Sequence, residues 1–98
     1  MLILPIKKKW FDMIARKEKL EEYREFKQYY HIRFKKIFKK TGGQAEVIFR
    51  NGYSYDSPSI RCLCTLDFGK GKREWGADSY KEQYILKIDK VLEVRNYE

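Results

Sequence analysis

Ninety-eight residues provide for one hydrophobic core and exclude a second independent one. The 22 basic against 14 acidic side chains leave a net charge of +8, which points to an anionic partner (RNA, DNA, a nucleotide or an acidic protein surface) without choosing among them. The longest apolar run falls far short of the roughly 20 residues that cross a bilayer, and the N-terminal lysines follow the apolar residues, the reverse of a secretory signal, so a cytoplasmic location without membrane contact is expected.

In chain order, Leu2-Ile3-Leu4-Pro5-Ile6 reads as a short apolar strand ended by proline, and residues 7–15 as a helix with Trp10, Phe11 and Ile14 on one face. Lys7, Lys8 and Lys9 at its start oppose the helix dipole, a conflict that a bound anion or plain solvation relieves. The octet Lys17 to Arg24, K-E-K-L-E-E-Y-R, alternates charge around Leu20 and Tyr23. Residues 28–40 form a second helix with Tyr30, Phe34, Ile37 and Phe38 on its apolar face and Arg33, Lys35, Lys36, Lys39 and Lys40 largely outside it. Thr41-Gly42-Gly43 supplies its stop, a glycine taking the left-handed cap.

Residues 45–50 alternate as a strand with Ala45, Val47 and Phe49 inward, and Asn51-Gly52 ends it. After a loop over 53–59, the next strand places Ile60, Cys62, Cys64, Leu66 and Phe68 on one side. The two cysteines thus share a face. A disulfide across that spacing is strained, and with His31 the only histidine a zinc site lacks ligands, so both thiols are assigned to the core, His31 to the helix surface, and no metal or cofactor is expected.

Residues 69–76 read as a mobile basic connection. It lacks the Walker pattern, yet Lys70, Lys72 and Arg73 could clamp a nucleic-acid backbone. Tyr53, Tyr55 and Trp75 fall in loops where a ring could stack on a base, although anchoring the loop is the commoner role for each. Residues 83–94 form a long last strand whose alternation slips near Asp89-Lys90, as at a bulge.

Lys19, Glu22 and Arg24 carry the chemistry of the octet. Arg24 can fork onto phosphate or a guanine edge, Lys19 can serve as a point charge or, desolvated, as a base, and Glu22 can orient either cation. The plainer alternative is an ion-paired strand edge of slight energy. These three residues, with the strand and helix before them and residues 24–34 after, resemble the ASCH family, small relatives of PUA RNA-binding domains. Its signature is Gly-x-Lys-x-x-Glu-x-Arg. The likeness is strongest over residues 2–34 and returns in Tyr84-Ile85-Leu86-Lys87-Ile88. Lys17 stands where the glycine is usual, so the turn there is expected to take another backbone path.

The resemblance implies a single α+β domain over residues 1–98: a small PUA-like β-barrel with two flanking helices and a cleft lined by the signature residues. It implies an RNA- or nucleotide-binding module whose partner is RNA, another single-stranded nucleic acid or a nucleoside, with Lys19, Glu22 and Arg24 in the cleft; charge and loop position add Lys7, Arg33, Lys70, Lys72, Arg73 and Trp75 as expected contacts. The enzymatic alternative is a ribonuclease or an N4-acetylcytidine-type amidohydrolase using Lys19 and Glu22. Relatives of the second kind use a threonine where this chain has Glu22, and a carboxylate does not replace a hydroxyl nucleophile. RNA cleavage by the substrate's own 2′-hydroxyl needs no protein nucleophile. A third reading is an adaptor whose basic helix meets an acidic protein.

Overall fold

The computed structural model describes residues 1–78 and 80–97. Five strands and two helices follow in the order β1 (Leu2–Pro5), α1 (Lys8–Ala15), β2 (Glu21–Arg24), α2 (Gln28–Phe38), β3 (Gln44–Arg50), β4 (Ser59–Gly69) and β5 (Gln83–Arg95), with a single 3-10 turn at Arg73–Trp75 before β5. The strands form one sheet in the order β1-β3-β4-β5-β2. All neighbours are antiparallel except β1 and β3. The sheet curls into a half-barrel, so the protein is a small α+β domain of barrel-like form.

The concave face encloses the core. Leu4 of β1, Val47 and Phe49 of β3, Ile60, Cys62, Cys64 and Leu66 of β4, and Leu86 of β5 meet Phe11 and Ile14 of α1 and Phe34 and Phe38 of α2. Inward residues alternate as the two-residue period of a strand requires. Phe68, which continues that alternation, is exposed, because β4 runs on past the edge of the core toward Gly69. Both thiols are free and buried. Burial pushes the Cys62 thiol up to about 12 and Cys64 higher still. Among the described residues no cluster of metal-ligating side chains forms, and no helix is long and apolar enough to cross a membrane.

Two slips of register interrupt the β4–β5 ladder, between Arg61 and Cys62 and between Leu63 and Cys64. The partners of β4 jump from Glu93 to Val91 and from Lys90 to Ile88, leaving Leu92 and Asp89 as the extra residues. Asp89 is where the sequence alternation slips. Its carboxylate accepts from the Thr65 hydroxyl and from Gln44 Nε2, which pins the bulge.

The helix ends depart from expectation. α2 stops at Phe38 rather than Lys40, and Lys39, not a glycine, makes the exit at φ 74°. Gly43 is needed for a different reason: a Cβ there would lie 2.0 Å from the Phe38 carbonyl oxygen. At the end of α1 the chain keeps the turn that its sequence put in question. Lys17 itself takes φ 63°, its N–H meets the Ile14 carbonyl, and the Glu18 N–H meets the Met13 carbonyl. That is the Schellman pattern, with lysine in the position glycine usually holds.

Candidate functional site

The Lys17 turn sets up the site. It reverses the chain so that Lys19 runs back beneath Trp10, and the Leu20 carbonyl then accepts from the Ile88 N–H to begin the β2–β5 ladder. On the four-residue strand β2, Glu22 and Arg24 fall on one face and Glu21 and Tyr23 on the other.

Lys19, Glu22 and Arg24 converge, but they do not line one open cleft: Lys19 and Glu22 are buried, and Arg24 alone is half-buried. The Lys19 side chain has no exposed surface. Its ammonium donates to the Trp75 carbonyl, stands 3.2 Å from Glu22 Oε1, and lies 5.0 Å from the ring centroids of both Trp10 and Tyr23. Burial drives its pKa below the ordinary lysine value, and the Glu22 carboxylate only partly opposes that shift. Glu22 Oε2 accepts from Arg24 Nη2 at 2.7 Å and from Nε at 3.2 Å.

Arg24 is almost fully engaged. Besides Glu22, its Nη2 donates to the Pro5 carbonyl at 2.7 Å and its Nη1 to the Tyr30 hydroxyl at 3.1 Å. Of the five guanidinium N–H groups, one Nη1–H is left. Burial disfavours its charge, but Glu22 and Tyr30 outweigh that and hold the pKa above the usual arginine value. A fork onto phosphate or a guanine edge, expected from the sequence, would break bonds already made within the fold.

Of residues 69–76, expected to be a mobile link, Gly69 ends β4 and residues 70–76 are packed over this network. The Lys72 N–H donates to the Tyr23 hydroxyl at 3.0 Å. Gly71 lies so close to Tyr23 that a Cβ would come within 2.3 Å of its ring, and Gly76, at φ 98°, lies against Trp10. Tyr23, Ala77 and Ile85 form a small second cluster with Trp75 against it. Trp75 is therefore a roof for Lys19, half-buried, with the Lys72 ammonium 4.4 Å above its ring. Lys70, Lys72 and Arg73 are exposed, as are Lys7 and Arg33. Tyr53 and Tyr55 anchor nothing, Tyr55 being 99% exposed.

The open feature of the site is a cavity of about 690 Å³ beside the network. Arg24, Tyr30, Phe26, Gln83 and Gly76 line it, and neither Lys19 nor Glu22 does. Phe26 is 45% exposed, steadied edge-on by Tyr84 at 4.9 Å. Gln83 is buried and its Nε2 donates to the Asp78 carbonyl; among the described residues its Oε1 has no donor and serves as an acceptor. The charged lining balances: Arg24, Lys27 and Lys81 against Glu25, Asp78 and Glu82.

Phe26, Tyr30 and Gln83 were missed as site residues. Tyr30 reads from its spacing as core, and Gln83 as the first residue of a strand. Only their contact with Arg24 and Asp78, which is a tertiary fact, puts them at a cavity. His31 is an exposed helix residue as expected, and its Nδ1 also pairs with the Tyr84 hydroxyl. No known protein family, curated protein or solved structure matches this chain.

Proposed function

We propose that this protein is an RNA- or nucleotide-binding module of the PUA-like ASCH type that takes an unstacked base into the cavity beside Arg24. The observation that carries the reading is the make-up of that cavity. Its volume lies within the range of small-molecule sites, roughly 300 to 1,000 Å³. It offers an exposed aromatic face at Phe26, a spare N–H on Arg24, the Tyr30 hydroxyl and the Gln83 carbonyl oxygen.

A base has both a π-face and a polar edge, which such a wall satisfies together. The balanced lining suits a neutral base better than a phosphate. The surplus of +8 elsewhere on the chain suits the backbone that carries it. In this reading Lys19 and Glu22 position Arg24 and do not touch the ligand. The hydrolytic alternative would need one of them at the cavity surface, where neither lies.

Backbone amide NMR spectra taken while each ribonucleoside and then a single-stranded RNA is added test the reading. Shifts should centre on Phe26, Tyr30 and Gln83. Binding with those three unmoved, or no binding of any of these ligands at low salt, would overturn it; saturable binding of an acidic peptide instead would favour the adaptor.

A further inference from the structure

We infer that the ligand is a single strand several nucleotides long, running from the cavity along the side of α2 that faces β1, so that Arg33 and Lys36 hold its phosphates. This rests on the base-binding reading of the cavity and goes beyond it by fixing the strand's path and minimum length.

The cavity has no free place for a phosphate. Four of the five Arg24 N–H groups are spent within the fold. Lys27 and Lys81 stand 3.7 and 3.9 Å from Glu25 and Asp78 respectively. A mononucleotide seated there would gain its base contacts while its phosphate met mouth charges already answered by carboxylates.

Free cations begin one turn further along. Tyr30, Arg33 and Ile37 follow one another at intervals of three and four, the spacing that makes neighbours along one side of a helix, and the exposed Lys36, three residues after Arg33, flanks that side. Lys27 and Tyr30 line the base cavity. Arg33 and Lys36, with Ile37 and Leu2 of β1, line a second hollow of about 390 Å³. The two hollows thus share one side of α2, an 11-residue helix about 16 Å long.

Among the described residues neither Arg33 nor Lys36 has a carboxylate within salt-bridge distance. Arg33 is also held in place: its guanidinium lies 3.5 Å from the Tyr29 ring centroid and Nη1 donates to the Tyr29 carbonyl. A stacked, oriented arginine is suited to phosphate. Lys35, on the far side of the same helix, serves as an internal control of equal charge.

The test is fluorescence anisotropy with fluorescein-labelled random-sequence single-stranded RNA of 2, 4, 8 and 12 nucleotides across a salt series, with unlabelled mononucleotides as competitors. Proteins are wild type, Arg33→Gln/Lys36→Gln, the control Lys35→Gln/Lys90→Gln, and Phe26→Ala. The changed side chains of both charge variants are exposed; circular dichroism checks the fold of Phe26→Ala. Affinity should rise at least tenfold from 2 to 8 nucleotides. Arg33→Gln/Lys36→Gln should flatten the salt slope by about 1.4, at about 0.7 per phosphate on a single strand, and by more than the control does.

Equal losses in the two charge variants, or mononucleotides competing as well as the 12-mer, would overturn the path while leaving the cavity reading intact, provided Phe26→Ala still abolishes binding. Length-dependent binding indifferent to Phe26→Ala would overturn the cavity reading, and with it the origin of the path. A duplex bound as tightly as the single strand overturns the path as well, since paired bases cannot enter the cavity.

Discussion

The Arg24 guanidinium, on one edge strand of the sheet, donates through Nη2 to the carbonyl of Pro5 on the other edge strand, at 2.7 Å. Four strand-to-strand steps separate β1 from β2 in the ladder, yet one side chain joins them where the curl brings them together. Pro5 contributes an acceptor and no competing N–H, as fits an edge position. Arg24 therefore fastens the half-barrel as well as walling the cavity. Arg24→Lys keeps the charge but loses the fork, and is expected to cost about 1–3 kcal/mol in urea denaturation. Amide exchange in β1 should quicken. A variant within about 0.5 kcal/mol of wild type would show the bond to be incidental.

Among the described residues Glu22 is the sole carboxylate that holds both the buried Lys19 and the half-buried Arg24 at salt-bridge distance, and its removal should be the most damaging single change in the site. In Glu22→Gln, the buried Lys19 and the half-buried Arg24 remain without a counter-charge. The expected loss is about 3–5 kcal/mol, the cost of breaking a buried pair from one side. Lys19→Met made in addition removes one stranded charge and should restore part of the stability. Equilibrium urea unfolding of the two singles and the double gives the coupling directly, and strictly additive losses would contradict it.

Lys17 occupies a left-handed position that costs an L-residue with a Cβ roughly 1–2 kcal/mol. Lys17→Gly should relieve much of that. Glycine's greater freedom in the unfolded chain offsets some of the gain, so a rise of about 1 kcal/mol is expected, read as a higher urea midpoint at unchanged slope. Loss of stability would mean that the exposed lysine side chain contributes more than its backbone strain.

These residues also show where sequence reasoning holds and where it stops. The Asp89 bulge was legible because a broken alternation is a local signal. So was the shared inward face of Cys62 and Cys64, which follows from the two-residue period alone. Lys17 was read wrongly for a local reason: the preference for glycine was treated as a requirement, whereas the Schellman hydrogen bonds of α1 outweigh the strain. The packing of residues 70–76 was not legible. Two glycines and four charges look like a free loop until Tyr23, Trp10 and Lys19, more than 45 residues earlier, are placed beneath it. The octet's charges could be seen to belong together, but whether they opened onto a cleft or closed on one another depended on that same roof.

That roof should open more readily than the sheet. Its amides at Trp75 and Ala77 bond only within the turn, to the Lys72 carbonyl, and its apolar support is the small Tyr23–Ala77–Ile85 cluster apart from the main core. Local openings need break only those contacts, so both amides should exchange with a smaller free energy and weaker denaturant dependence than the amides of Cys62 and Cys64 in the centre of β4. Exchange of Trp75 and Ala77 at the global unfolding rate would show the roof and the sheet to be one cooperative unit.

The cysteines make stability fall in alkali. In the unfolded chain each thiol ionises near about 8.5, whereas in the fold burial pushes Cys62 up to about 12 and Cys64 further. Above pH 8.5 the folded chain therefore holds protons that the unfolded chain has released. The stabilisation is fully present below that pH and is lost as pH rises toward the folded values, by about 2 kcal/mol per thiol at pH 10. Tyr23, whose pKa burial also raises, adds a loss of the same sign above pH 10. Lys19 works the other way: its lowered pKa makes burial of the charge a penalty that is relieved as pH rises toward the ordinary lysine value. Two thiols and a phenol against one amine leave a net decline. Urea unfolding at pH 7 to 10 under reducing conditions should show it, and Cys62→Ala/Cys64→Ala, though less stable at pH 7 for its lost packing, should decline much less steeply. An equally steep decline in that variant would place the alkaline sensitivity elsewhere than in the core thiols.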